Sequence, residues 1–547
     1  MNDRSACVLP SEAGRKRSLM NPKTLAAMAA FALKLTACAF AREDAGSAAS
    51  LAKPVLKRGS TLITDHGAKP DGITLNTKAI QTAIDACHQA GGGKVVIPAG
   101  RFVTGTIHMK DNVTLHLDEG AALLGSMKLT DYDADIVGAV EAPAFNRCLI
   151  YAHKAKNIGF SGKGIVDGRG SPAAFPVKIG QKLGERPMLM RLVECEDISM
   201  KDVVFRNSAS WGLHLLLCRN AHIDGIRIDS QNNNMNNDGI DLDGCVNVLI
   251  ENCVINAGDD AICPKSTTTQ VCSNIVVRDC TISSHTAAYK LGTSSRGGFV
   301  NMKVSNCRFH DCPMGAIKLL MVDGGRLENV EISNITMDNV GGPIFIRLGN
   351  RGRLYDMPTE QVYGKESTSE GAPVGILRKV RIRNIHAKVK GNQRDRLGIM
   401  ISGIPGHKVE DVILEKITIS LPGGGTAADA ARVVPEDVAR YPEQFFFGVL
   451  PSSVLYARHV KGLVVRDLDV TFEKPDARSP VYVEDVEGLE QTRVRCEVIA
   501  KDETVKRDTT PAAAENTLAD APAMISSKTV SRLSPLMATP PTHAARP

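Results

Sequence analysis

Asp238 lies in the run Asn-Asn-Asp-Gly-Ile-Asp, and Asp259 and Asp260 lie in Ala-Gly-Asp-Asp-Ala-Ile, a short distance further along the chain. Carboxyl groups forced together repel one another, so at least one of them holds its proton toward neutral pH. A protonated carboxyl beside an ionised one is the pair that cleaves a glycosidic bond: one protonates the leaving oxygen and the other activates water. Each run, taken alone, is also a good turn, because Asn, Asp and Gly favour turns. An acidic, oxygen-rich cluster also suits calcium. What favours chemistry is that the two runs fall at matching places in neighbouring units of a repeat.

That repeat is a short alternating phrase of the type N-V-x-I-x-N-C-x-I. It is centred on Ile198, Ile223, Val248, Ile275, Met302 and Val330, in steps of 25, 25, 27, 27 and 28 residues, with later copies at Val380, Val412 and Val464. Alternation of apolar and polar residues marks strands with one buried face, and Gly, Asn and Asp between phrases mark turns. Such strands close a core only by stacking. The expectation is therefore an all-β chain, a right-handed parallel β-helix. Asp238 then lies 15 residues past Ile223, and Asp259 and Asp260 lie 11 and 12 past Val248. The three share one stretch of adjacent coils, about 4.8 Å apart. Gly258 permits a bend that turns both of its neighbouring carboxyls outward. A helical stretch over 77–90 is placed to cap the open N-terminal end.

On these residues the sequence resembles glycoside hydrolase family 28, the polygalacturonases and rhamnogalacturonan hydrolases. That family carries Asn-Thr-Asp, Gly-Asp-Asp, Gly-His-Gly and Arg-x-Lys motifs in this order, and the resemblance spans about 63–472. It implies a pectin-lyase-like solenoid that hydrolyses galacturonide linkages by inverting acid–base displacement, with no metal and no cofactor. By the resemblance Asp259 is the general acid, Asp238 and Asp260 activate water, and Asn236 binds substrate. The third and fourth motifs differ here. Ser-Ser-His-Thr-Ala-Ala-Tyr-Lys-Leu-Gly-Thr supplies His285 without flanking glycines, or Ala287 if Leu-Gly-Thr sets the alignment, and Ala316-Ile317-Lys318 keeps the lysine without the arginine. A substrate carboxylate needs basic partners. Lys290, Lys318 and Arg347 lie 15, 16 and 17 residues past Ile275, Met302 and Val330. They are expected to form one column that binds it, Arg347 standing in for the missing arginine.

Two other readings use the same repeat: a calcium-dependent pectate lyase, and a carbohydrate-binding β-helix without catalysis. Hydrophobic residues make up 43% and aromatics 4%, which suits a core of aliphatic side chains, and the formal charge of +6 leaves a mixed surface. No nucleic-acid-binding motif accompanies the excess charge. The expected partner is a pectic polysaccharide or oligogalacturonide, and the chain is expected to act as a monomer. Basic residues before an apolar run over 25–40 and the A-x-A-like Ala39-Phe40-Ala41 read as a signal peptide over 1–41. The product would be secreted or periplasmic, or a lipoprotein anchored through Cys38. The catalytic domain is placed at 55–500, with an unpatterned tail at 504–547. Cys253, Cys280 and Cys307 recur at 27 residues, as a buried thiol column would. Cys263 and Cys272 flank a polar loop and are the candidates for a bridge. The stretch 422–451, with its triple glycine and triple phenylalanine, breaks the repeat and is either a loop over the cleft or a packed insertion.

Overall fold

The computed structural model describes residues 59–134, 136, 146–176, 186–230, 235–351, 373–390 and 398–499, with the backbone of the short strand Ile525–Ser527. The expected signal peptide, Cys38 and the rest of the tail lie outside the described residues. No described helix is long and apolar enough to cross a membrane.

From Ser60–Leu62 onward, coil after coil contributes short strands that pair in parallel with the coils before and after. Among the described residues the one antiparallel bridge is Ile404 with His407. The result is the right-handed parallel β-helix that the phrase repeat implied. In the middle coils three strands alternate with corners, as in Ile240–Asp243, Val246–Glu251 and Val254–Ala257. Further on, the second and third strands fuse into long bent ones such as Gly298–Cys312 and Arg326–Val340.

The corners explain the asparagines of the phrase. Asn220, Asn247, Asn274, Asn301 and Asn329 all take the left-handed backbone conformation, which Asn tolerates better than most residues. Each side-chain amide donates to the one in the preceding coil, at 3.1, 3.0, 2.9 and 3.1 Å from Asn247 to Asn329. A second ladder runs through Asn306, Asn334 and Asn384 at the next corner. Inside, one apolar column is Val248, Ile275, Met302, Val330, Val380 and Val412, in the register the repeat suggested. The outer anchors need correction: Val248 neighbours Ala221, two residues before Ile223, and Val412 neighbours Leu463 rather than Val464. The slip at Ile223 is two residues and keeps the same face of the strand, so the pattern alone does not detect it; the slip at Val464 is one residue, hidden by the unbroken apolar run Leu463-Val464-Val465.

The helix α1, Thr77–Gln89, buries Ile80, Ala83, Ile84 and Cys87 against the first coils and closes that end. At the other end the last long strand, Ser479–Val498, exposes Glu487, Glu490, Arg493, Arg495 and Glu497. Its backbone pairs with Ile525–Ser527, inside the stretch expected to be unpatterned. All twelve described cysteines are free. Cys253, Cys280 and Cys307 are buried free thiols of the core as expected, each donating to the backbone carbonyl two residues before it at 3.0, 3.1 and 3.2 Å. Cys263 and Cys272 form no bridge, because Cys263 projects outward toward Asp260 while Cys272 sits in the core.

Candidate active site

The outer face of one strand column forms a buried charged floor. Ile240–Asp243, Ile262–Lys265, Tyr289–Leu291 and Ile317–Met321 stack in sequence, turning Ile240, Leu242, Tyr289 and Leu291 inward. The alternate residues Asp241, Cys263, Lys290 and Lys318 therefore face the other way, and Lys290 pairs in register with Lys318. The three aspartates come from the turns that lead into these strands. Register of Ile240 on Ile262 brings Asp238 beside Asp260. The chain bends at Gly258 as expected, and a side chain there would also collide with the carboxamide of Asn237.

Asp238 and Asp260 are 3% exposed, whereas Asp259 is half-buried and the most accessible of the three. One carboxylate oxygen of Asp238 lies within 4.8 Å of one of Asp260. The hydroxyl of Thr286 lies 2.7 Å from Asp260, to which it donates, and 3.0 Å from Asp259, and the Lys290 ammonium reaches Asp260 Oδ2 at 2.7 Å. Lys265 Nζ sits 3.4 Å from Asp238 Oδ2 and 3.3 Å from Asp241 Oδ1. These neighbours split the acidities. Burial, then the charge of Asp260, raises Asp259 above the usual carboxylate range. Burial also pushes Asp260 up, but Lys290, Lys318 and Lys265 outweigh it and hold Asp260 at about 2. Asp238 is raised by burial and then by Asp241, which itself sits at about 7 because of burial.

Asp238, Asp260 and Cys263 are close enough to share a cation. Two ammonium groups already occupy that space, Lys265 on Asp238 and Cys263 and Lys290 on Asp260, so a divalent ion would meet like charge.

Asn236 lies at the rim in the left-handed conformation, its carboxamide oxygen 3.3 Å from Arg186 Nη2. His285 is exposed, next to Thr286 in the chain. Ala287 is fully buried, with its carbonyl accepting from the amide of Ala261 at 2.8 Å. Lys290 and Lys318 face the floor as expected, but each already holds a carboxylate: Asp260 for Lys290, and Glu443 for Lys318 at 2.5 Å.

Arg347 is a correction. It pairs with Leu320, two residues beyond Lys318, whose partner is Phe345. It is 1% exposed, and its guanidinium donates to Ser402 Oγ, Gly403 O, Glu436 O and Asp437 O at 2.7 to 3.0 Å. Counting from the anchor ignored the tight Gly341-Gly342-Pro343 corner before its strand. Arg347 lies outside the expected column with Lys318 and holds the stretch 422–451.

That stretch is both things the sequence allowed. Val434, Phe447 and Leu450 pack on Leu320, Phe345, Met400 and Tyr456, as an insertion would. Between them Tyr441 and Glu443 strap across the floor: Tyr441 Oη lies 2.9 Å from Thr293 Oγ1 and 3.5 Å from Lys290 Nζ. Asp241, Lys265, Thr286 and Glu443 were not singled out from sequence. Only Asp241 left a trace there, as the second acid of Asn-Asn-Asp-Gly-Ile-Asp.

Residues 87–438 match the model of the family described as Glycosyl hydrolases family 28. A probable polygalacturonase of Vitis vinifera is 26% identical over 387 residues, 66% of this chain and 74% of its own length. An exo-poly-alpha-D-galacturonosidase of Dickeya chrysanthemi is 32% identical over 248 residues, 37% of this chain and 41% of its own length. Among solved structures, the family 28 exopolygalacturonase of Yersinia enterocolitica superposes with a TM-score of 0.60 at 20% identity, covering 79% of this chain and 78% of its own. The hyperthermoactive exopolygalacturonase of Thermotoga maritima gives 0.56 at 22%, covering 67% and 88%. At those identities the two structures speak for the shared β-helix. With the family match covering most of the chain and the aspartates gathered on one floor, the chain belongs to glycosyl hydrolase family 28.

Proposed function

We propose that this glycoside hydrolase cleaves galacturonide linkages of a pectic polysaccharide, and that it works outside the cytoplasm, in keeping with the signal-like leader. The observation that carries the mechanism is the opposite acidity of two neighbours in the chain, Asp259 raised and Asp260 held at about 2. A general acid must arrive protonated and a general base ionised. Asp259, the more accessible carboxyl, donates its proton to the glycosidic oxygen as the bond to the anomeric carbon breaks. Asp260 takes a proton from the water that attacks that carbon from the opposite face, which inverts it. Asp238, within 4.8 Å of Asp260, holds the same water in line. Thr286 fixes both carboxyls of the neighbouring pair, while Asn236 and His285 stand at the rim to meet the sugar.

The test is product analysis on a pectic polymer. Saturated galacturonide ends are expected, at a rate that excess EDTA leaves nearly unchanged. Asp259→Asn keeps the shape but cannot donate, and should lose about 10²- to 10⁴-fold in rate with the fold intact. Unsaturated products that disappear with chelator would instead assign a lyase.

A further inference from the structure

Lys290 and Lys318 pair side by side on the floor, 4% and 1% exposed, at the position where a bound uronate ring would seek positive charge. Neither charge is uncommitted. Asp260 neutralises Lys290, and Glu443 neutralises Lys318 at 2.5 Å while its other oxygen lies 3.9 Å from Lys290. Glu443 is thus one ammonium away from the reacting carboxylate.

It is also fixed in place. Glu443 is 5% exposed, its own amide donates to Tyr441 O at 3.0 Å, and the neighbouring Gln444 donates to Gly398 O at 3.0 Å. Tyr441 is tied to Thr293, and Arg347 and Arg458 clamp the backbone carbonyls of 434–437. Expelling Glu443 would leave Lys318 buried without a partner, which is strongly destabilising. A free carboxylate arriving here meets a balanced set of two cations and two anions, and its own charge is the surplus. Specificity is often set in this way, by an element that penalises the unwanted partner.

We propose that Glu443 is a specificity-determining residue: a resident carboxylate on the Lys290–Lys318 pair that favours a galacturonosyl ring carrying a methyl ester over the free acid. The inference rests on the galacturonide reading above. The uncharged ester carbonyl can still accept from either ammonium, so recognition survives without adding a third anion to the pair.

The test compares kcat/KM on methyl-esterified and de-esterified oligogalacturonides of equal length. The wild-type chain should cleave the ester at least as well as the acid. Glu443→Gln should shift the ratio at least tenfold toward the acid, and Glu443→Asp, which keeps the charge, should stay near wild type. A wild-type chain that prefers the acid by tenfold or more overturns the proposal without any variant. So does a folded Glu443→Gln variant whose ratio moves less than threefold, or moves toward the ester. If the wild-type chain cleaves neither oligomer, the galacturonide reading fails first and the inference with it.

Discussion

Asp259 and Asp260 are adjacent in the chain and bonded to one hydroxyl, yet their proton affinities diverge, because only Asp260 has an ammonium in contact. Lys290 is the first of the groups that lower Asp260 against burial, so the low value of about 2 depends on it. The working enzyme needs Asp260 ionised and Asp259 protonated, so kcat/KM should rise with pH through the Asp260 value and fall through the raised Asp259 value. Lys290→Met removes the lowering charge and leaves burial to dominate. The acid limb of the profile should then move to higher pH by at least about one unit, since a buried carboxyl without its cation titrates well above the usual range. A profile that only drops in height, with its acid limb unmoved, would show that Lys290 does not set the base. The acids were legible in sequence because they sit in turns at matching places of the repeat. Glu443 was not, because it stands 125 residues from Lys318 on a stretch with no periodicity.

The strands and their corners were legible for a related reason: a solenoid writes one coil many times. Asn at the corner is in the phrase because two demands coincide there, a left-handed backbone and an amide that bonds above and below. Sequence alone suggested only turns, since stacking of identical amides becomes visible once register is known. Register itself was half legible. It held from Val248 to Val412, through coils of 27, 27 and 28 residues and two lengthened ones of 50 and 32, and slipped at Ile223, where the true neighbour of Val248 is the small Ala221. The two demands on Asn can be separated at Asn274, in the middle of the ladder. Asn274→Ala loses both amide bonds and also strains the left-handed backbone, about 1–2 kcal/mol for the strain alone. Asn274→Gly loses the bonds without that strain, although the more flexible unfolded chain costs something in return. Urea denaturation should therefore place Ala below Gly, with Ala about 2 kcal/mol below wild type. Equal stabilities for the two variants would mean that the corner conformation is not enforced in the fold.

At the scale of the whole molecule, repetition makes contacts between neighbouring coils, and the strap 422–451 adds ties between distant ones. Its carbonyls and side chains meet residues from the strands Tyr289–Leu291, Ile317–Met321, Ile344–Leu348 and Ser452–Phe472. Arg347 is the densest of these ties, with two acceptors on the coil beyond and two on the strap, and its guanidinium lies 5.0 Å from the Phe447 ring centroid. The sequence suggested a ligand for this arginine because a lone Arg beside a missing family Arg invites substitution, and nothing in the pattern shows which loop returns to cover it. The two roles predict opposite outcomes for Arg347→Lys. A single ammonium cannot span four acceptors on two sides of the side chain, so several buried carbonyls would lose their donor. As a tie, Arg347 should then cost about 1–3 kcal/mol on replacement, seen as a lower Tm, and limited proteolysis should cut faster within 422–451 than elsewhere. Had Arg347 bound a substrate carboxylate directly, the variant would keep its Tm and its protease resistance while kcat/KM on a uronide fell. That second outcome would return Arg347 to the cleft and would leave the strap held by Arg458 and Glu443 without it.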